Sequence, residues 1–222
     1  MSLFSNPRQF PLVERLKRWT FDTEDRHFER RHGLELADLV PHEQLISSNR
    51  EALDHATAYQ GVWCRNVRTL LAQSRRFNPA LENFVDLGAG KGKACFYAST
   101  QQAFDSIIGV ELSEPLVEIA RKNLARFAQR HPEEPIRFVA GDAATYDLPV
   151  GDTVVFMYNP FDGVILERFL QRNREHLAST RSVVAYANDI HRGVLTQQGF
   201  TELYRDPARC VSLYTLRRQA GN

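Results

Sequence analysis

Beyond residue 80 the chain alternates short apolar runs with longer stretches in which apolar residues return every three or four positions. The runs are Phe84 to Leu87, Ser106 to Val110, Ile136 to Val139, Thr153 to Tyr158 and Ser182 to Tyr186. Between the second and third, Val117, Ala120, Leu124 and Phe127 recur at helical spacing, which predicts a crossover helix. Strands that alternate with helices predict a parallel sheet covered on both faces. The last two runs, Phe200 to Tyr204 and Val211 to Leu216, flank only a short turn around Asp206-Pro207-Ala208. That leaves no room for a crossover, so these two strands are expected to pair antiparallel.

Upstream the texture differs. From Phe10 to about Arg76 the chain reads as helical with little strand signal. Trp63, Val67, Leu70 and Leu71 fall on one helical face, with Ser48 as a candidate cap for that helix, whereas Phe21 to Leu45 reads as polar and irregular. The change comes at the Phe77-Asn78-Pro79 turn. Two units are therefore expected: a helical extension or lid over 1–76 and an α/β domain over 77–222.

Composition narrows the class. Hydrophobic residues at 43% and charged residues at 25% suit a globular chain, and a net charge of +1 lacks the basic excess of a duplex-binding domain. No apolar run approaches the roughly 18 residues of a membrane span, and the first ten residues have no signal-peptide core, so a cytoplasmic protein is expected. Cys64, Cys95 and Cys210 are odd in number and far apart, which fits reduced thiols better than a disulfide framework or a zinc site. His27 and His32 are five apart and miss the spacing of a helical metal pair, so no metal is expected.

The chemistry centres on "DLGAGKGKA", Asp86 to Ala94. Glycines at 88, 90 and 92, directly after an apolar run, predict a strand-to-helix turn whose bare backbone and exposed N–H groups approach a ligand. A dinucleotide turn has the spacing G-x-G-x-x-G, and Lys93 stands where its third glycine would be. That counts against the alternative of an NAD-dependent oxidoreductase.

The G-x-G-x-G spacing behind Asp86 resembles the first motif of class I S-adenosylmethionine-dependent methyltransferases. Three later segments agree with it in order: "GVELSEPLVEIARKNL" ending a strand at Glu111, "FVAGDAATYDLP" around Asp142, and "VVFMYNPFDG" around Asn159. The resemblance implies a Rossmann-like, seven-stranded, mostly parallel sheet with a C-terminal antiparallel strand, and S-adenosyl-L-methionine as cofactor. It further implies that Asp86, Gly88, Ala89, Gly90 and Gly92 form the turn against the methionine portion. Glu111 with Leu112 would take the ribose hydroxyls, Asp142 with Ala143 the adenine, and Asn159 the reacting end. "FVDLGAGKGKA" with "GVEL" is also similar to the motifs of non-SET histone lysine methyltransferases and related bacterial proteins. The bacterial proteins share an upstream "FD…HG" element, here Phe21-Asp22 and His32-Gly33.

Asn159-Pro160 matches half of the Asn-Pro-Pro-Tyr motif with which amino-methylating relatives hold a target nitrogen. Phe161 replaces the second proline and Asp162 the aromatic residue. The resemblance thus implies transfer to a nitrogen of a protein side chain such as lysine, or of a small molecule, with Tyr158, Asn159, Pro160 and Phe161 at the reacting centre. Asp162 and His191 are candidate bases, near Asn188 and Asp189 at the end of the fifth strand; Tyr59 and Trp63 are candidate pocket residues of the extension. A non-catalytic adenosylmethionine sensor is the remaining alternative, one that would keep the turn and Glu111 without the acceptor motif.

Overall fold

The computed structural model describes residues 12–216; Phe10 and the outer ends of both expected units lie outside them. Seven strands form one sheet in the order β3-β2-β1-β4-β5-β7-β6. They are β1 (Asn83–Leu87), β2 (Ser106–Glu111), β3 (Ile136–Ala140), β4 (Thr153–Tyr158), β5 (Val183–Ala187), β6 (Thr201–Asp206) and β7 (Val211–Thr215). The first five are parallel, and β7 enters antiparallel between β5 and β6. The expected mixed, Rossmann-like sheet is the observed one.

Strand β1 is buried at every position because both its faces are covered. Phe84 joins Ile107, Phe156 and Val154 in one core under α3 (Cys64–Phe77), α4 (Lys93–Gln101) and α5 (Glu114–Ala128). Its neighbours in sequence, Val85 and Leu87, join Ile108, Val155 and Met157 under α6 (Gly163–Arg172), α7 (Arg174–Ser179) and α8 (Arg192–Gln197). The period of two along a strand thus builds two cores, one on each face.

The N-terminal part departs from expectation. Helix α1 (Leu12–His32) runs through the stretch read as irregular from Phe21. Its buried stripe is Phe21, Asp25, Phe28 and His32, a 4-3-4 spacing in which two of the four residues are polar. Those two hid the apolar period. Ser48 does not cap the helix that carries Val67, Leu70 and Leu71; it bonds to Glu114 instead. Asn49 caps the short α2 (Arg50–Asp54), and the first N–H of α3, from Cys64, donates to the Asp25 carboxylate of α1 at 2.9 Å. Among the described residues no helix is long and apolar enough to cross a membrane.

Candidate active site

At the carboxyl ends of β1 to β4 the loops open onto a cavity of about 880 Å³, part of it open to solvent. This is the edge where open α/β sheets bind ligands. The glycine turn forms its floor. Gly88 and Gly90 have φ of +71° and +55°, and a Cβ at either would stand 2.1 Å from Pro160 Cβ or 2.0 Å from the Tyr59 ring. The backbone is bare there because side chains from two other segments press on it. The Gly90 N–H donates to Glu111 Oε2 at 2.8 Å, and the Ser113 N–H donates to Oε1 at 2.8 Å. The carboxylate at the end of β2 is therefore fixed by backbone on both oxygens and keeps lone pairs for a ligand diol. Burial pushes its pKa up, and the N–H groups of Ser113, Gly90 and Leu112 offset part of that rise.

The opposite wall comes from upstream. Residues 36–62 cross the cavity as a strap tied to each loop beneath it. The Lys91 ammonium bonds to the Ala37 carbonyl and lies 5.3 Å from the Tyr59 ring centroid, and the Tyr59 hydroxyl donates to the Leu36 carbonyl at 3.1 Å. Ser48 meets Glu114 after β2, and Asn49 donates to Asp142 after β3 at 3.2 Å. Thr57 donates from its hydroxyl to the Asn159 carbonyl at 2.6 Å and from its N–H to the Pro160 carbonyl at 2.9 Å. His55 Nδ1 lies 2.7 Å from Asp162 Oδ2, and Ala56 pairs with Phe161 as an isolated bridge.

Two buried ionisable side chains, one acidic and one basic, line the cavity. Asp86 is 3% exposed, and its side-chain partner among the described residues is the Cys95 thiol at 3.9 Å. Burial, and after it the Glu111 carboxylate, push its pKa well above the usual range. Lys93, 6% exposed, reaches Asp25 Oδ2 at 2.6 Å and Glu29 Oε1 at 3.5 Å on α1. The lysine that breaks the dinucleotide spacing thus docks α1 against the glycine turn, a role that residue spacing did not reveal.

Of the expected site residues, Asp86, Gly88, Ala89, Glu111, Leu112, Asp142, Ala143, Tyr158, Pro160 and Phe161 all line the cavity, with Tyr59 from the strap. Gly90 and Gly92 belong to the turn but not to the lining: the Tyr59 ring covers Gly90, and a Cβ at Gly92 would meet the Phe138 ring at 2.5 Å. Asn159 stands outside the lining with φ +44°. Its Oδ1 accepts from the Tyr186 hydroxyl at 3.2 Å, and its carbonyl is taken by Thr57. Asp162 caps α6 by accepting from the Val164 and Ile165 N–H groups. Burial works to raise its pKa, but the His55 ring and those N–H groups outweigh it and hold the carboxyl below its usual value, which makes it a weak base. His191 is also outside the lining, where its N–H donates to the Tyr186 hydroxyl at 3.4 Å. Asn188 and Asp189 do not line it either. Trp63 packs its ring on Phe21 and donates to Asp22, so the "FD" pair joins α1 to α3. Among the described residues no cluster of three metal-ligating side chains occurs.

This site stands on a segment with known counterparts. Residues 84–185 match the family model of a methyltransferase domain. The match covers a little under half of the chain. The methyltransferase-domain segment spans the glycine turn, Glu111, Asp142 and the β4 loop; the strap lies upstream of it. Among solved structures the fold is similar to that of a proposed S-adenosyl-L-methionine-dependent methyltransferase from Methanococcus maripaludis, at 14% identity over 71% of this chain and 87% of that one, with a TM-score of 0.51. The ribosomal protein L11 methylase of Lactobacillus delbrueckii subsp. bulgaricus matches at 15% identity over 68% and 77%, with a TM-score of 0.49. CalS10 of Micromonospora echinaspora, an amino pentose methyltransferase with S-adenosylmethionine bound, matches at 22% identity over 57% of this chain, with a TM-score of 0.45; the chain spans about half, 51%, of CalS10. No curated protein matches.

Proposed function

We propose that the protein is an S-adenosylmethionine-dependent methyltransferase whose acceptor atom is a nitrogen, in a small molecule or a protein side chain such as lysine. The carrying observation is Glu111, locked by the Gly90 and Ser113 N–H groups at the junction of the glycine turn and the β2 loop, with its carboxylate on the cavity. The other residues suit the cofactor. Asp142 and Ala143 sit one strand further out for the adenine, and the buried, under-partnered Asp86 favours a cationic group beside it. When bound, the cofactor supplies a methyl group on a sulfonium centre, open to in-line attack.

The protein's own part is positioning and exclusion of water. The strap closes the cavity from above, with Tyr59 packed over Gly90. Tyr158 and Phe161 form an aromatic edge at the β4 end, and such an edge holds an amine or ammonium by its π-face. That edge, together with Pro160, supports the nitrogen reading. The Asn159 side chain holds Tyr186, and so supports the edge from behind.

Titration calorimetry tests the cofactor: micromolar binding of adenosylmethionine and adenosylhomocysteine, lost in Glu111→Ala, with no binding of NAD. Binding of NAD alone, or of nothing, would sink the reading. Radiolabelled methyl transfer into a lysate, followed by acid and base hydrolysis of the product, then separates N-methyl from O-methyl acceptors; label that leaves under mild base as an ester would refute nitrogen.

A further inference from the structure

The strap over the cavity is not held evenly along its length. Its outer part, residues 41–54, carries a single 3-10 turn (His42–Gln44) and α2. Leu45 and Ala52 are its buried residues; both line the cavity, yet neither belongs to either core. This part therefore roofs a space, and no apolar core anchors it. The hydrogen bonds that tie it down end on side chains: Ser48 on Glu114, Asn49 on Asp142 at 3.2 Å and Glu51 on Arg168 at 2.9 Å. All are exposed, and exposed bonds and ion pairs are weak.

The ends of the same segment are held differently. Val40 and Tyr59 exchange both backbone hydrogen bonds, at 3.0 and 2.9 Å, so the segment leaves and rejoins the strap at one place. Beyond that pair, Leu36 and Val62 sit in a core. Residues 55–57 are tied to the β4 loop by backbone: the Asp162 N–H donates to the His55 carbonyl at 3.0 Å, and the Thr57 N–H to the Pro160 carbonyl at 2.9 Å. Within 41–54 the His42 ring meets the Leu53 carbonyl at 2.9 Å, which braces the segment across its own width. Firm ends around a braced middle that is clipped only at the surface make a unit of local opening.

We infer that residues 41–54 are a flap that swings on the Val40–Tyr59 pair and admits the nucleoside end of the cofactor, while the base and the β4 side of the strap stay closed. Leu45, Ala52 and Leu53 share the cavity with Asp142 and Ala143, and Asn49 touches Asp142 itself, so the flap opens above the seat given to adenine. This rests on the cofactor reading above. Spent cofactor then leaves without parting Thr57 from Asn159 and Pro160, and the β4 end, where the acceptor nitrogen meets the methyl group, keeps its shape through the exchange.

A door differs from a binding contact in its rates. Clips that are closed with and without ligand hold back entry and exit alike, so weakening them raises kon and koff by one factor and leaves Kd unchanged. Surface plasmon resonance of adenosylhomocysteine on the immobilised full chain reads both rates. Ser48→Ala/Glu51→Gln, at two positions that do not line the cavity, is expected to raise both about three- to twentyfold, with Kd within about twofold of wild type. His55→Ala cuts the side-chain tie of the base to Asp162 and should change neither rate by more than about twofold. Hydrogen exchange of the wild type adds a reading that no variant can spoil: the amides of 50–54 should exchange at least about tenfold faster than those of Thr57 and Tyr59. Unchanged rates in the double variant, a rise in koff alone, equal acceleration by His55→Ala, or equal exchange in flap and base would each overturn the flap. No binding of adenosylhomocysteine by wild type, with 50–54 still exchanging faster, would overturn the cofactor reading instead.

Discussion

Replacing Gly90 by alanine asks how firmly the strap is held on the turn. An L-residue at φ +55° costs about 1–2 kcal/mol in backbone strain. The new Cβ would stand 2.0 and 2.2 Å from two carbons of the Tyr59 ring, and ordinary contact begins near 3.4 Å, so the ring must retreat by about 1.4 Å. That retreat loosens the hydrogen bond from Tyr59 to the Leu36 carbonyl, worth about 0.5–1.5 kcal/mol, and the approach of the Lys91 ammonium to the ring, worth about 0.5–1 kcal/mol. The expected loss is about 2–4 kcal/mol, read from urea unfolding as the midpoint multiplied by the slope. In a Tyr59→Ala background the same change should cost only the backbone strain, about 1–2 kcal/mol, and the difference is the collision. Gly193→Ala, in α8 with no atom within 4 Å of its Cβ, is the control and should gain about 0.5–1 kcal/mol. A Gly90→Ala protein within about 0.5 kcal/mol of wild type, or an undiminished loss without Tyr59, would refute the account of why this turn is bare.

Two further outcomes follow from the buried charges. Asp25→Asn leaves the Lys93 ammonium with Glu29 at 3.5 Å while the amide oxygen still accepts from the Cys64 N–H, so the loss is electrostatic: about 2–4 kcal/mol, or a drop of about 5–15 °C in a thermal melt; a change under 1 °C would contradict it. Burial, then the facing His131, Arg31, Arg130 and His27, lower the His32 pKa to about 4. In the unfolded chain it takes its proton near 6.5, so its neutral-state contribution is complete above that value and is lost as pH falls from about 6.5 to 4. Urea midpoints of wild type and His32→Gln at pH 7.5 and 4.5 should converge in the acid, and parallel shifts would count against the argument.

The centre of the sheet was legible because its strands are buried on both faces: NFVDL and TVVFMY are apolar runs with no competing period, and glycine punctuates the first. The cofactor side of the cavity was legible for the same reason, since Glu111 ends β2 while Gly88 and Asp142 closely follow β1 and β3 at the same edge. The N-terminal part was not. The stripe of α1 carries Asp25 and His32 in place of apolar residues, because it buries a salt bridge to Lys93 and a histidine bonded to His131 at 3.2 Å. Neither partner is visible from 68 or 99 residues away in the chain. Asn159 and Asp162 were placed correctly at the end of β4, but their partners Thr57, Tyr186 and His55 come from remote segments, and these redirect both from the cavity to its frame. His191 follows β5 as expected but lies outside the lining, its backbone N–H donating to the Tyr186 hydroxyl.

The strap has a temporal consequence. Its contacts with the sheet loops are to residues synthesised later: Ala56 pairs with Phe161, Asn49 with Asp142 and Thr57 with Asn159. During translation the first third of the chain thus emerges with Phe28 lacking Tyr97, which will cover it, and with loops of about a hundred residues still to close. The roof of the site is made first and fitted last. That order sets the folding rate by topology, the closing of long loops, rather than by local propensity.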